Sequence, residues 1–142
     1  MSIIDDAIVK LQAHALALTE RAAKIKGAPA YPPEDAAVLP LAVTRIMGGE
    51  VTLDSASNAR LIFTLETTFH VSRISLRSAY TQLDLIIPEF SLRLAGDPTL
   101  GGTVSTIVSP ISFTTYGTEW NKIKTMAAEF RILVKFMEAP TT

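Results

Sequence analysis

The sequence contains no cysteine at all. Disulfides, thiolate nucleophiles and cysteine-ligated zinc sites are therefore excluded. No segment approaches the roughly 18 consecutive apolar residues of a membrane-spanning helix, so no span is expected. Charge is also sparse: 19% of residues are charged, 13 basic against 14 acidic, and no cluster of lysine and arginine could follow a phosphate backbone. These absences argue against a dedicated nucleic-acid-binding protein.

Apolar residues, by contrast, are abundant. They make up 48% of the 142 residues, which is typical of a globular chain and somewhat more than a solvated monomer needs. The length suits one domain that spans residues 1–142. The composition therefore predicts a single folded domain that buries part of its surface against other chains.

The N-terminal segment predicts an amphipathic helix over residues 4–25. Apolar residues recur there in steps of four and three, which places them in one stripe on a helix. Ser2 is positioned to cap this helix, and Asp5 and Asp6 lie in its first turn, where the helix dipole favours anions. Residues 27–40 then predict an extended connector, because their four prolines disfavour helix.

A second helical pattern covers residues 76–94. Pro88 falls inside this pattern and predicts a break or kink in the helix. Gly96 marks the end of the helix. The stretch "DPTLGGTVSTI" at residues 97–107 follows, with a glycine pair placed between the helix and a strand-like segment. This region therefore predicts a helix followed by a reversal of the chain.

Strand patterns occupy four segments. Residues 59–71 and 124–138 alternate apolar and polar side chains, which is the period of a half-buried strand. Residues 41–47 predict a shorter strand, and residues 103–116 have strand composition. Because proline cannot donate a ladder hydrogen bond, Pro110 predicts that this last segment is an edge strand or a bulged strand.

The order helix, strand, strand, helix, strand, strand predicts an α+β fold. In that fold two main helices cover one face of a mostly antiparallel four-stranded sheet. Turn-forming residues at 48–58 surround Val51 and Leu53, and they predict a hairpin with a projecting tip. Residues 117–122 predict a turn or loop before the last strand.

The glycine pair at Gly101 and Gly102 is the first candidate for chemistry. A phosphate-binding loop of the Walker type needs a lysine and a following helix, because these two features hold the phosphates. The pair is followed instead by Thr103 and a strand pattern. We therefore interpret the pair as a turn that reverses the backbone.

The titratable residues do not assemble a reaction centre. His14 and His70 are the only histidines and have no neighbouring ligands, so both are expected to be solvated or structural. The acidic pairs at positions 5–6 and 34–35 are typical of solvated caps and loops. No G-x-S-x-G elbow occurs among the serines. The sequence accordingly predicts no catalytic residue, no metal ligand and no cofactor.

Six apolar residues are candidates for contact with another subunit or partner. They share a predicted place in the hairpin tip, on an outward strand face or in a polar loop. They are Val51, Leu53, Ile62, Trp120, Leu133 and Met137. For Trp120 an alternative stays open, because a loop aromatic can fold back on its own domain as well as anchor an interface.

The order of these segments resembles the tail terminator (tail-completion) proteins of long-tailed bacteriophages. The resemblance begins with the helix "IIDDAIVKLQAHALALTERAAKI", passes through "VLPLAVTRIM" and "GGEVTLDSASNAR" to the strand "RLIFTLETTFHV", and ends with "DPTLGGTVSTI" and "AEFRILVKFME". It covers nearly the whole chain and lies in architecture, because no single motif is diagnostic. Pro88 and the extended region "STIVSPISFTTYGTEWNKIK" depart from the pattern.

The resemblance implies a structural, non-enzymatic virion protein that forms a hexameric ring and ends polymerisation of the tail tube. Its partners would be copies of itself, the tail tube protein and the head-tail connector or stopper protein. It would act at the head-proximal end of the tail after assembly in the host cytoplasm. DNA would pass through the lumen without specific binding, which suits a net charge of −1. The alternatives are a head-completion or stopper-type neck adaptor, and a small α+β ligand-binding module or enzyme.

Overall fold

A computed structural model describes residues 3–18, 25, 39–55, 58–120 and 122–138. Two helices and four strands follow one another in the predicted order. They are α1 (Ile3–Leu16), β1 (Leu41–Ser55), β2 (Asn58–Ser72), α2 (Leu76–Ala95), β3 (Thr106–Trp120) and β4 (Ile123–Glu138). The α+β fold predicted from the sequence is confirmed.

The four strands form one antiparallel sheet in the order β1-β2-β4-β3. β1 and β2 form one hairpin, and β3 and β4 form the other. β2 and β4 pair in the centre without a register shift, from Ala59 opposite Glu138 to Ser72 opposite Thr125. The turn between β1 and β2 therefore lies at the same end of the sheet as the end of β4 and the start of β3. We call this the tip end.

Both helices pack on one face of the sheet, which we call the helix face. α1 contacts β1 and α2, and α2 contacts β2 and β4. The centre of the core is a cluster of Phe69, Phe90 and Phe130, whose ring centroids lie 4.8, 5.0 and 5.8 Å apart in edge-to-face arrangements. The inward residues predicted for β4 are buried, so the predicted alternation of that strand is confirmed.

α1 is shorter than the predicted helix. It ends at Leu16, and the Leu18 N–H bonds to the carbonyl of Ala15 three residues back, which tightens the final turn. The apolar stripe continues to be buried at Leu18 and Ile25. The acidic first turn is confirmed. The predicted cap at position 2 and the connector up to residue 38 lie outside the described residues.

Pro88 predicted a break or kink, and α2 runs through it without a break. Proline removes the hydrogen bond to the carbonyl of the residue four positions earlier, which is Asp84 here. Both residues are exposed, so water can reach the carbonyl that has lost its donor. Ser75 caps the start of the helix, and Gly96 ends it as predicted.

β1 is longer than the predicted strand. It was expected to end near residue 47 and instead continues to Ser55, with a register shift between Ile46 and Gly48. The shift is a β-bulge, which bends a strand and increases its twist without ending it. The predicted hairpin is therefore confirmed, and its two arms are longer than the turn-forming residues suggested.

β3 also extends beyond its predicted end. It continues through residues 117–120, which were predicted as a turn or loop. The prediction from Pro110 is confirmed in both respects: β3 is an edge strand, and its register is irregular between Val108 and Ser112. The strand thus accommodates Pro110 through a local interruption of its hydrogen bonds to β4.

Candidate functional site

The face of the sheet opposite the helices, the open face, is concave. Several of its residues are at most 6% exposed, although neither described helix covers them: Leu41, Val43, Glu66, Thr68, Thr125 and Ala127. The edge strands β1 and β3 both line one cavity of about 210 Å³ on this face. The lining residues are Val43, Arg45, Glu66, Thr68, His70, Tyr116, Thr118 and Glu119. The sheet therefore curls around a polar pocket, which we call the concave cavity.

A buried carboxylate forms part of the wall of the concave cavity. Glu66 is 3% exposed, and its Oε1 accepts hydrogen bonds from Arg45 Nε at 3.3 Å and Thr68 Oγ1 at 3.3 Å. Arg45 Nη2 lies 3.2 Å from the same oxygen. These donors replace water around the carboxylate, which is costly to bury without partners. β1 and β2 supply the pair because Arg45 lies directly opposite Glu66 in the antiparallel register.

His70 lines the same cavity and is neutral at pH 7. Its Nδ1 lies 3.1 Å from Thr125 Oγ1, which is buried on β4. Burial lowers the pKa of His70 from 6.5 to about 4, because desolvation disfavours the charged imidazolium. The imidazole therefore contributes polar contacts to the cavity and no positive charge.

A second carboxylate on the open face is held from two sides. Tyr116 donates its hydroxyl to Glu129 Oε1 at 3.2 Å, and Arg131 Nε lies 3.4 Å from Glu129 Oε2. Burial, followed by the nearby charge of Glu129, raises the pKa of the Tyr116 phenol. The phenol thus stays protonated and remains a donor at neutral pH. The open face thus carries hydrogen-bonded and ion-paired side chains around Glu66, His70 and Glu129, which we call its polar network.

The candidate interface residues fall on two surfaces near the tip end. Val51 and Leu53 project from β1, with 62% and 75% of their surface exposed. Ile62 and Leu133 are half-buried on the open face. Because Ile62 pairs with Lys135 and Leu133 pairs with Thr64, the two apolar side chains are diagonal neighbours. The structure thus brings Ile62 and Leu133 together, whereas Val51 and Leu53 lie apart from them on the edge strand β1.

Two candidate residues have side chains outside the described part of the structure, Trp120 and Met137. The backbone of Trp120 pairs with Ile123 at the end of β3, so the predicted loop position is wrong. β3 continues to Trp120, beyond the predicted end of the strand at residue 116. The backbone of Met137 pairs with Arg60, as expected for an outer position near the end of β4.

The glycine pair forms the predicted turn. Gly101 and Gly102 have φ angles of 66° and 84°, a region that side chains with a Cβ rarely adopt. The Gly101 N–H donates to Asp97 Oδ1 at 2.8 Å, and the Gly102 N–H donates to Thr99 Oγ1 at 3.2 Å. A phosphate-binding loop would need such amides for its ligand. Here side chains of the same turn occupy both amides.

His14 joins the first helix to this turn. Its Nε2 lies 2.7 Å from Asp97 Oδ2, and the pKa of Asp97 is lowered first by the Gly101 N–H and then by His14. The carboxylate is therefore an acceptor, and His14 donates to it through Nε2. His14 Nδ1 is buried without a hydrogen-bond partner in the described structure. His14 thus has the structural role that was one of its two expected readings.

Sequence reasoning missed the polar network of the open face. The alternation of residues 59–71 puts Glu66 and His70 on the outward face of a half-buried strand, and it indicates no partner for either side chain. Arg45 was not predicted as the partner of Glu66, because it lies in a short apolar segment far from Glu66 in the sequence. A signal was available: an arginine and a glutamate on consecutive strands of a predicted hairpin form an opposite-charge pair when their register matches.

Comparison of the chain with protein-family models and with curated proteins finds no match. Within the described ranges, no group of three histidine, aspartate or glutamate residues is arranged to hold a metal ion. Neither described helix is long and apolar enough to cross a membrane.

Proposed function

We propose that this chain is a structural, non-enzymatic ring subunit, and specifically the tail terminator of a long-tailed phage or phage-like particle. The observation that carries the proposal is the exposed apolar edge of β1. Four large apolar side chains along β1 are at least 43% exposed: Ile46, Met47, Val51 and Leu53. An edge strand with this composition is a site for association with another chain.

The placement of this edge supports a ring. β1 and β3 are the two outer strands of one sheet, so each subunit has two different edges to offer. Contacts between unlike surfaces are heterologous, and they form a closed ring when the rotation between subunits divides a full turn. The order of helices and strands agrees with the order on which the tail-terminator resemblance was drawn. A hexamer is the ring that the resemblance implies.

The chemistry of the open face supports a structural role over a catalytic one. Both carboxylates of its network are engaged by arginines, and the imidazole of His70 is neutral and half-buried. A net charge of −1 suits a lumen through which DNA passes without strong phosphate contacts. The proposed partners are therefore other copies of this chain, the tail tube protein and the head-tail connector or stopper protein.

Tube assembly in vitro tests the proposal. Tube protein of the same particle is polymerised with increasing amounts of this chain, and tube lengths are measured by electron microscopy. A terminator caps one tube end, shortens the tubes at substoichiometric amounts and appears as a ring at that end. Tubes of unchanged length with no bound ring would reject the proposal. Binding to connector particles but not to tubes would favour the stopper-type adaptor.

The concave cavity favours one alternative from a different class, a small ligand-binding module. Its buried Glu66 and the neighbouring Arg45 are polar groups of the kind that orient a ligand in a pocket. A thermal-shift screen with small polar molecules tests this alternative. It gains support only if a compound raises the melting temperature of the wild-type chain and fails to do so for Glu66→Gln.

A further inference from the structure

We propose that the exposed apolar ridge on β1 of one subunit packs into an apolar groove beside β3 of the next, and that this contact closes the ring. The inference rests on the proposed ring and names its interface. The ridge consists of Ile46, Met47, Val51 and Leu53. The groove has a volume of about 290 Å³ and is lined by Leu94, Ala95, Pro98, Ile107, Ser109 and Ile111.

Ridge and groove lie at the same end of the sheet. The rows of paired residues fix their levels: Gly49 pairs with Phe63, Phe63 with Val134, and Val134 with Ile107. The groove residue Ile107 is therefore level with Gly49, in the middle of the ridge. Both surfaces belong to the tip end.

Ridge and groove also lie on the same side of the sheet. Val51 pairs with Leu61, which pairs with the core residue Phe136, and paired residues share a face. Ile107 shares the helix face with buried Val134 and lines the groove together with Leu94 of α2. Only the sheet edge differs, because β1 is one outer strand and β3 is the other.

This arrangement selects a second copy of the chain as the occupant. Two complementary surfaces on opposite edges, at one level and on one side, are brought together by rotation about an axis that runs roughly along the strands. Rotation without translation closes a ring, whereas surfaces at opposite ends of the sheet would build a filament. The groove also has the right size, since a dry cavity of about 150 Å³ already holds a benzene molecule.

The contact is side-chain packing rather than a continued β-ladder along this part of β3. Pro110 has no N–H to donate, and the register of β3 is irregular between Val108 and Ser112. A neighbouring strand therefore cannot pair regularly with this part of the edge. An irregular edge of this kind restricts open-ended strand addition, while the groove beside it accepts side chains.

Cysteine cross-linking tests the interface without background, because the chain has no cysteine of its own. The variant Ile46→Cys/Ser109→Cys places one thiol on the ridge and one in the groove of every subunit, both at exposed sites. The two sites lie at about the same level: Ile46 shares a row of paired residues with Ile132, and Ser109 directly follows Val108, the partner of Leu133. A disulfide needs this match, because its two Cα atoms must lie within about 7 Å of each other. Under oxidation we expect a ladder of covalent oligomers on a denaturing gel that ends at one closed species. Reduction should return the whole ladder to the 15.4 kDa monomer.

The controls separate this contact from others. Ile46→Cys alone and Ser109→Cys alone should give no ladder, because a heterologous contact does not bring like positions together. Ile46→Cys/Ser78→Cys carries the same number of thiols, with the second one exposed in the first turn of α2, and should also give none. A dimer from Ile46→Cys alone would indicate a two-fold contact and overturn the inference.

Light scattering on the uncross-linked wild-type chain distinguishes the two possible failures. If the wild-type chain forms rings but Ile46→Cys/Ser109→Cys gives no ladder of cross-linked oligomers, this interface is rejected and the proposed ring function stands. A monomer at every concentration would reject the ring and this inference together. Circular dichroism of each variant verifies that the fold is retained.

Discussion

Arg45 Nη2 lies 3.2 Å from Glu66 Oε1, although the arginine side chain is 47% exposed and the glutamate side chain only 4%. The pair thus joins a solvated cation to a buried carboxylate across the β1–β2 hairpin. Removal of the arginine leaves the buried carboxylate with fewer hydrogen-bond donors to replace the water it has lost. The pair therefore contributes more to the stability of the fold than an ion pair between two exposed side chains.

We therefore expect Arg45→Ala to lower the free energy of unfolding by about 1–3 kcal/mol. The same substitution in a Glu66→Gln background should lower the free energy of unfolding by less, because a neutral amide is less costly to bury without a charged partner. Arg131→Ala is the matched control: that arginine is 58% exposed and contacts Glu129, so its loss should cost under about 1 kcal/mol. Urea unfolding of the four variants measures the coupling. Equal costs of Arg45→Ala in both backgrounds would contradict a specific pair.

His70 makes stability depend on pH. Between pH 6.5 and about 4 the unfolded chain binds a proton at His70 that the folded chain does not. The free energy of unfolding therefore falls as the pH drops through 6.5, and this contribution levels off below about 4. The difference between the two pKa values corresponds to roughly 3 kcal/mol at most.

His70→Gln removes the titrating group and keeps a polar side chain near Thr125. We expect its unfolding free energy to fall less steeply than that of the wild type between pH 6.5 and about 4. Urea unfolding at closely spaced pH values provides the comparison. Parallel curves for the two proteins over this range would show that His70 titrates alike in the folded and unfolded states.

Neighbouring glycines of β1 should respond differently to the same substitution. A Cβ on Gly49 would lie 2.7 Å from the carbonyl oxygen of Ile62, whereas a Cβ on Gly48 would meet nothing within 4 Å. Gly49→Ala therefore forces the two backbones apart and should cost about 1–3 kcal/mol. Gly48→Ala should change stability by less than about 0.5 kcal/mol. Thermal unfolding compares them, and equal melting temperatures would mean that the backbones do not approach closely here.

Local pattern was sufficient to predict the order of elements and the helix face. The alternation of β4 places Phe130 and Val134 inward, and Pro110 marks β3 as an irregular edge. These features are determined by residues within a few positions of one another. They could therefore be predicted before any tertiary contact was known.

Features that depend on distant residues could not be predicted in this way. The curl of the sheet buries Glu66 and gives it Arg45 as a partner, yet sheet curvature has no local sequence pattern of its own. The bond between His14 and Asp97 joins residues 83 positions apart. Pro88 predicted a break or kink in α2, and the helix continues through it. The lost hydrogen bond is tolerable because Pro88 and Asp84 are exposed to solvent, and this exposure depends on how the helix packs.

The molar mass of the wild-type chain in solution tests the ring most directly. Light scattering is measured over a wide range of protein concentrations, with Leu53→Asp as the comparison. We expect a mass that stays at a fixed multiple of 15.4 kDa, six-fold in the implied hexamer, and a monomer for Leu53→Asp. A wild-type chain that remains monomeric at all concentrations, or whose mass grows without limit, would contradict a closed ring.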